Sequence, residues 1–291
     1  MCDEITEREN EEFLRKNGLT RRGFAKMGAG VAFSGVLPVA ANAQDVTEHH
    51  VTVSTPDGDA EAYFVHPSTG KHPAVIVWPD VLGIRPAFRL MGKRLAQSGY
   101  SVLVVNPYHR TAKGDVVSIG ASYADPEVRA ALTPHRTSLS PKTCVTDGKA
   151  YVEYLDKQES VDSTRQIGVT GYCMTGSYTI RIAAAVPERI GAGASFHGGG
   201  LVTNAADSPH QLISDTDAGF LIAIAENDDA KAPETKNVLR KSFDAADIAA
   251  EIDVYQGALH GWCPPDSRVY NEAQAERAWA RMLALFEQKL V

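Results

Sequence analysis

Cys173 stands in Gly171-Tyr172-Cys173-Met174-Thr175-Gly176-Ser177, between an apolar run, Ile167 to Thr170, and a helical run from Ile180 to Val186. A strand feeding a tight turn and then a helix lifts the middle residue of Gly-x-Cys above the strand end in a strained backbone conformation. Gly171 leaves room there for strand and helix to close on each other. A thiol at that point ionises far more readily than a hydroxyl, and the positive end of the following helix favours the thiolate. The turn therefore offers a nucleophile for acyl transfer, although a buried structural cysteine fits the same residues when they are taken alone.

Two further signals follow in chain order. Ala225-Glu226-Asn227-Asp228-Asp229 lies just past the apolar run Phe220 to Ile224, where a loop carboxylate can reach a neighbouring connection. His260 follows Ile252 to Tyr255, in Gly257-Ala258-Leu259-His260-Gly261-Trp262. Nucleophile, acid and histidine thus each end a strand. His260 would take the thiol proton while Asp228, with Asp229 competing for the part, orients the imidazole and stabilises its charged form. An oxyanion needs two donors: the Met174 amide at the helix start is one, and the Val81 amide, in the loop Pro79 to Arg85 after Ala74 to Trp78, is the candidate for the other.

The elements that must hold these groups are legible as well. Val51 to Ser54 and Ala62 to His66, around Pro56-Asp57-Gly58, predict an antiparallel hairpin at a sheet edge. Ala74 to Trp78, Ser101 to Val105, Ile167 to Thr170, Ala192 to Phe196 and Phe220 to Ile224 are short apolar runs, as in strands covered on both faces; Ile252 to Tyr255 closes the series. Helical spacing recurs at Phe88, Met91 and Leu95 after Pro86, at Val145 to Leu155, and at Trp279, Met282, Phe286 and Leu290. This alternation predicts one α/β domain, a mostly parallel sheet flanked by helices. Pro107 to Pro141 is long for a connection and is expected to overhang the site, a solvated insertion being the alternative.

The first 43 residues read as an address. Arg21-Arg22 in Thr20 to Lys26 precede the mildly apolar run Met27 to Ala40, which ends at Ala41-Asn42-Ala43. That order resembles a twin-arginine export signal cleaved after Ala43, leaving residues 44–291 as the mature domain, periplasmic or secreted, with the export machinery as a partner. Cleavage removes Cys2; Cys144, Cys173 and Cys263 cannot all pair, and a Cys144–Cys263 disulfide stays open. A net charge of −7 argues against nucleic acid, and no mature segment reads as a membrane span. The nine histidines include no His-x-x-x-His pair and the cysteines no Cys-x-x-Cys, so no metal is expected.

The Gly-Tyr-Cys turn, the acidic loop before Pro233 and the final His-Gly loop resemble the dienelactone hydrolase family, from about Val51 to Val291. The resemblance implies an eight-stranded α/β-hydrolase sheet, no cofactor, and a triad of Cys173, Asp228 and His260. That triad would open enol lactones or related small esters through a thioester. The family usually has glycine where Thr175 stands, and its type members carry glutamate in the first loop, touching the resting thiol, where this chain has the shorter Asp80. Family arginines hold a substrate carboxylate; here Arg110, beside Tyr108 in Asn106 to Arg110, is the first candidate and Arg85 the next. His197-Gly198-Gly199-Gly200 resembles a lipase oxyanion loop but follows the nucleophile instead of preceding it, and reads as a glycine-rich turn with a satisfied structural histidine. A thioesterase or peptidase on the same fold, or a binding protein that has lost catalysis, are the competing functions.

Overall fold

The computed structural model describes Asn10, Glu12 and residues 43–291. The segment expected to be an export signal therefore lies outside the described residues apart from Asn10, Glu12 and Ala43. Among the described residues the strands are β1 (Val46–Thr55), β2 (Gly58–Pro67), β3 (Ala74–Trp78), β4 (Ser101–Val105), β5 (Ile167–Tyr172), β6 (Ile190–Phe196), β7 (Gly219–Ala225) and β8 (Ala250–Tyr255). They form one sheet in the order β1-β2-β4-β3-β5-β6-β7-β8. The β1/β2 hairpin sits at one edge and β2 meets β4 antiparallel, while every pairing from β4 to β8 is parallel. The hairpin strands run longer than the apolar pattern predicts, because an edge strand needs an apolar residue only where its inner face meets the core.

Alternate residues of each inner strand feed opposite layers. Ile76, Trp78, Leu103, Val105, Phe220 and Ile222 face α3 (Pro141–Leu155), α4 (Tyr178–Ala185) and α6 (Thr235–Ala246), whose Tyr151, Ile180, Leu239 and Phe243 complete that half of the core. Val75, Val77, Val102, Val104 and Leu221 face α1 (Pro86–Gln97) and α7 (Glu272–Lys289), meeting Phe88, Met91, Leu95, Met282 and Phe286. Strands covered on both sides must be apolar on both, which is why they read as unbroken runs. Cys144 lies in the first layer and Cys263 in the second, on opposite faces of the sheet, and both are free thiols; a disulfide between them is excluded by the fold.

The long stretch from Pro107 to Pro141 contains α2 (Pro126–Arg136), a helix the sequence pattern does not announce. Most of its residues are exposed and Leu132 is its one buried side chain, so it lacks a broad apolar stripe. Tyr108, Tyr123 and Leu132 nevertheless pack with Val81 and Cys173 in a small separate cluster, so this stretch covers the end of the sheet that carries Cys173. Among the described residues no helix is long and apolar enough to cross a membrane.

Candidate active site

β5 ends at Tyr172, and Cys173 opens a short 3-10 turn (Cys173–Thr175) before α4. Its φ is 57°, in the left-handed region that costs a residue with a Cβ about 1 kcal/mol or more. The turn is over-determined by its surroundings. A Cβ on Gly171 would stand 2.2 Å from the Thr175 carbonyl oxygen, so strand and turn close only because that position is glycine. The buried Thr175 hydroxyl accepts from the Tyr172 amide (2.9 Å) and lies 3.0 Å from the carbonyl oxygens of Trp78, Pro79 and Tyr172, giving it a choice of acceptors for its one proton. The Thr175 side chain therefore ties the Cys173 turn to the end of β3.

The loops after β7 and β8 are stitched together residue by residue. The Glu226 amide donates to the Ala258 carbonyl (2.9 Å), the Glu226 carboxylate accepts from the Gly257 amide (2.5 Å), and the Asn227 side-chain oxygen accepts from the His260 amide (2.8 Å). The next residue, Asp228, brings its Oδ2 to 2.7 Å from His260 Nδ1. Asp229 turns away to Lys236 Nζ at 2.6 Å, so of the two competing acids only Asp228 meets the imidazole. His260 also bonds the Cys173 side chain. Burial disfavours charge on its ring, but the Asp228 carboxylate and Cys173 outweigh it and push the pKa up to about 10.

Cys173 and His260 border a cleft of about 80 Å³ whose walls include Asp80, Val81, Arg85, Ser122, Tyr123, His197, Asp266 and Arg268. Asn10 joins that lining, and its side-chain amide donates to the His260 carbonyl at 3.2 Å. Val81 and Cys173 pack in one cluster with Met174 against it, so the two residues expected to supply oxyanion amides are neighbours of Cys173. The Tyr108 hydroxyl donates to the Val81 carbonyl (2.8 Å) and sits 3.6 Å from the Met174 sulfur, bridging the two segments from behind.

Asp80 lines the cleft but is not free to move. Both of its oxygens accept from Arg85, at 2.7 and 3.0 Å, and Oδ1 also takes the Leu82 amide. Burial raises its pKa and Arg85 opposes the rise. Arg85 uses its other edge on Asp266, at 2.7 and 3.0 Å. Arg110, the first candidate for substrate binding, is elsewhere: its guanidinium grips the buried Asp147 (2.6 and 2.7 Å) and reaches Asp57 in the β1/β2 turn. Neither Arg110 nor the fully buried Tyr108 is among the residues lining the cleft, whose arginines are Arg85, the second candidate, and Arg268. The sequence gives no signal for Arg268 or Asp266, since their partners Asp125 and Arg85 are brought to them only by the loop packing.

The His197 turn departs from expectation in a second way. It does lie at the cleft, and Gly199 donates to the Cys173 carbonyl at 2.9 Å, but neither ring nitrogen of His197 has a hydrogen-bond partner among the described residues. Among those residues, too, no group of three or more His, Cys, Asp or Glu side chains is placed to hold a metal ion.

A family model described as the Dienelactone hydrolase family matches residues 60–290. The carboxymethylenebutenolidase of Rhodococcus opacus is 25% identical over 252 residues, covering 84% of this chain and 94% of that protein. A dienelactone hydrolase-like promiscuous phosphotriesterase from metagenomic libraries has a crystal structure that matches with a TM-score of 0.68 at 19% identity, over 84% of this chain and 99% of that one. For the crystal structure of a dienelactone hydrolase from Anabaena variabilis the TM-score is 0.60 at 14% identity, over 84% and 99%. At these identities the two solved structures establish a common fold.

Proposed function

We propose, from the premise that the chain belongs to the dienelactone hydrolase family and is a hydrolase of esters or lactones, that it is an exported enzyme working through Cys173, His260 and Asp228. The observation that carries the reading is the continuous line from the Asp228 carboxylate to His260 Nδ1 at 2.7 Å and from His260 to the sulfur of a residue held at φ 57°.

The sulfur, ionised beside a charged imidazole, adds to the carbonyl carbon and the carbonyl electrons move onto oxygen. The amides of Met174 and Val81 receive that oxyanion. Collapse breaks the acyl–oxygen bond, His260 gives its proton to the departing oxygen, and a thioester to Cys173 remains. In a lactone the departing oxygen stays tethered to the acyl group, and an enol released in this way rearranges to its ketone. His260, now neutral, removes a proton from water as it attacks the thioester; collapse releases the carboxylic acid and expels the thiolate, restoring it beside the charged imidazole. Asp228 keeps the imidazole in the tautomer that points Nε2 at the sulfur and stabilises its charged form. No step needs a cofactor.

The test is a screen of the mature protein against aryl esters, lactones and thioesters alongside alkylation of its thiols. Hydrolysis of esters or lactones, lost when one equivalent of iodoacetamide modifies Cys173, is the expected result; an inert thiol or turnover of thioesters alone overturns it. Export rests on the sequence of residues 20–43. Changing Arg21 and Arg22 together to lysine is expected to leave the protein in the cytoplasm with its precursor length, as read by cell fractionation and blotting; normal accumulation outside the inner membrane contradicts the signal.

A further inference from the structure

His197 follows β6 and is 1% exposed, yet its backbone sits at φ 40° and both ring nitrogens lack partners among the described residues. A buried imidazole with no partner is destabilising, and the left-handed backbone adds to that cost. Its turn is built to hold it: the His197 amide donates to Ala223 at 2.8 Å, and a Cβ on Gly198 would stand 2.2 Å from the Ser195 hydroxyl. The ring packs edge-on against His260, with centroids 4.9 Å apart, and against Trp262 at 5.1 Å, and it borders the cleft that holds Cys173.

The cations of the same cleft are the reverse case. Arg85 is divided between Asp80 and Asp266, and Arg268 is spent on Asp125 at 2.9 and 3.3 Å. Among the described residues, then, each arginine lining the cleft is already bidentate to a carboxylate. One arginine serving two aspartates leaves no surplus positive charge, so an incoming carboxylate would compete with anions that hold ideal geometry.

We infer that the cleft takes uncharged esters or lactones, and that His197 is a substrate-binding residue whose ring N–H donates to a neutral acceptor oxygen next to the leaving oxygen. The inference rests on the hydrolase reading above and narrows its substrate class. Placement follows from contact: His260 serves the leaving oxygen, and His197 touches the His260 ring. The ring is suited to a neutral partner because burial, with the charged His260 beside it, holds its pKa well below the ordinary value.

Three aryl acetates separate the possibilities: 2-acetylphenyl acetate, its 2-isopropenyl counterpart in which CH₂ replaces the ketone oxygen, and 2-acetoxybenzoate. Each kcat/KM is divided by the hydroxide rate of the same ester, so leaving-group chemistry cancels. The wild-type protein is expected to favour the ketone over both others by about tenfold, and His197→Phe, which keeps a ring against Trp262, to bring the ratio of ketone to isopropenyl ester within that variant down to about one. His197→Asn, which tolerates positive φ, gives the same comparison should the phenylalanine variant melt early. Preference for the carboxylate ester, or an equal loss on all three esters in both variants, overturns the inference while leaving the hydrolase reading intact. Failure of the wild-type protein on every ester and lactone overturns both.

Discussion

Replacing His260 by alanine is expected to lower kcat/KM on any ester or lactone substrate by at least about 10³-fold while the protein stays folded. The imidazole performs both proton transfers of the proposed cycle, and no other group stands ready to take them: His197, its nearest ring neighbour, is kept neutral by burial. Folding is expected to survive because His260 lies at the cleft, and the loop carrying it is held by its backbone, through Asn227 and Glu226, more than by its ring. The checks are steady-state kinetics beside a thermal melt, and the alkylation rate of Cys173, which should fall with the loss of the neighbouring cation. A variant retaining more than a few per cent of activity would remove His260 from the mechanism.

Asp228→Asn should cost roughly 10²–10⁴-fold in kcat, and Asp229→Asn no more than a few-fold. The amide is nearly isosteric, but it can present an N–H where His260 Nδ1 needs an acceptor, so the ring adopts the wrong tautomer. Asp229 is engaged with Lys236 on a half-buried surface, away from the imidazole. The same pair carries a pH signature. A histidine whose folded pKa is raised from 6.5 to about 10 contributes stability that is full below 6.5 and is lost as pH rises toward 10. In a Cys173→Ala background the thiol's own proton does not enter and its share of the upward push on His260 is lost, so the window narrows from its upper end; melting temperature should still decline as pH rises above 6.5 with Asp228 present and flatten in Asp228→Asn. Equal slopes in the two proteins would separate the carboxylate from the imidazole's charge.

Much of this site is written locally in the chain. The nucleophile turn is legible because strand, glycine, cysteine and helix are contiguous, and steric clearance at Gly171 is a property of a few adjacent residues. Asp228 and His260 are legible because each directly follows an apolar strand. The choice between Asp228 and Asp229 is not, since it depends on one turn of α5 (Glu226–Lys231) that sends one carboxylate inward and the other to Lys236. The engagement of Arg110 is hidden for a related reason: its partner Asp147 is on α3 and Asp57 in the first hairpin, and only tertiary packing brings them to the guanidinium. The Asp80–Arg85–Asp266 group likewise spans two loops far apart in sequence. The condition of His197 could not be read at all, because an unpaired nitrogen is a statement about every neighbour at once.

The strand order has one further consequence. Val81, Cys173, Asp228 and His260 hang from β3, β5, β7 and β8, and β3 sits between β4 and β5, so the sheet interleaves segments separated by long stretches of chain. Contacts of that kind close slowly, after local helices have formed. On dilution from denaturant, the far-ultraviolet helical signal should recover well before catalytic competence, and the interval between the two times the assembly of the four strands that carry the site.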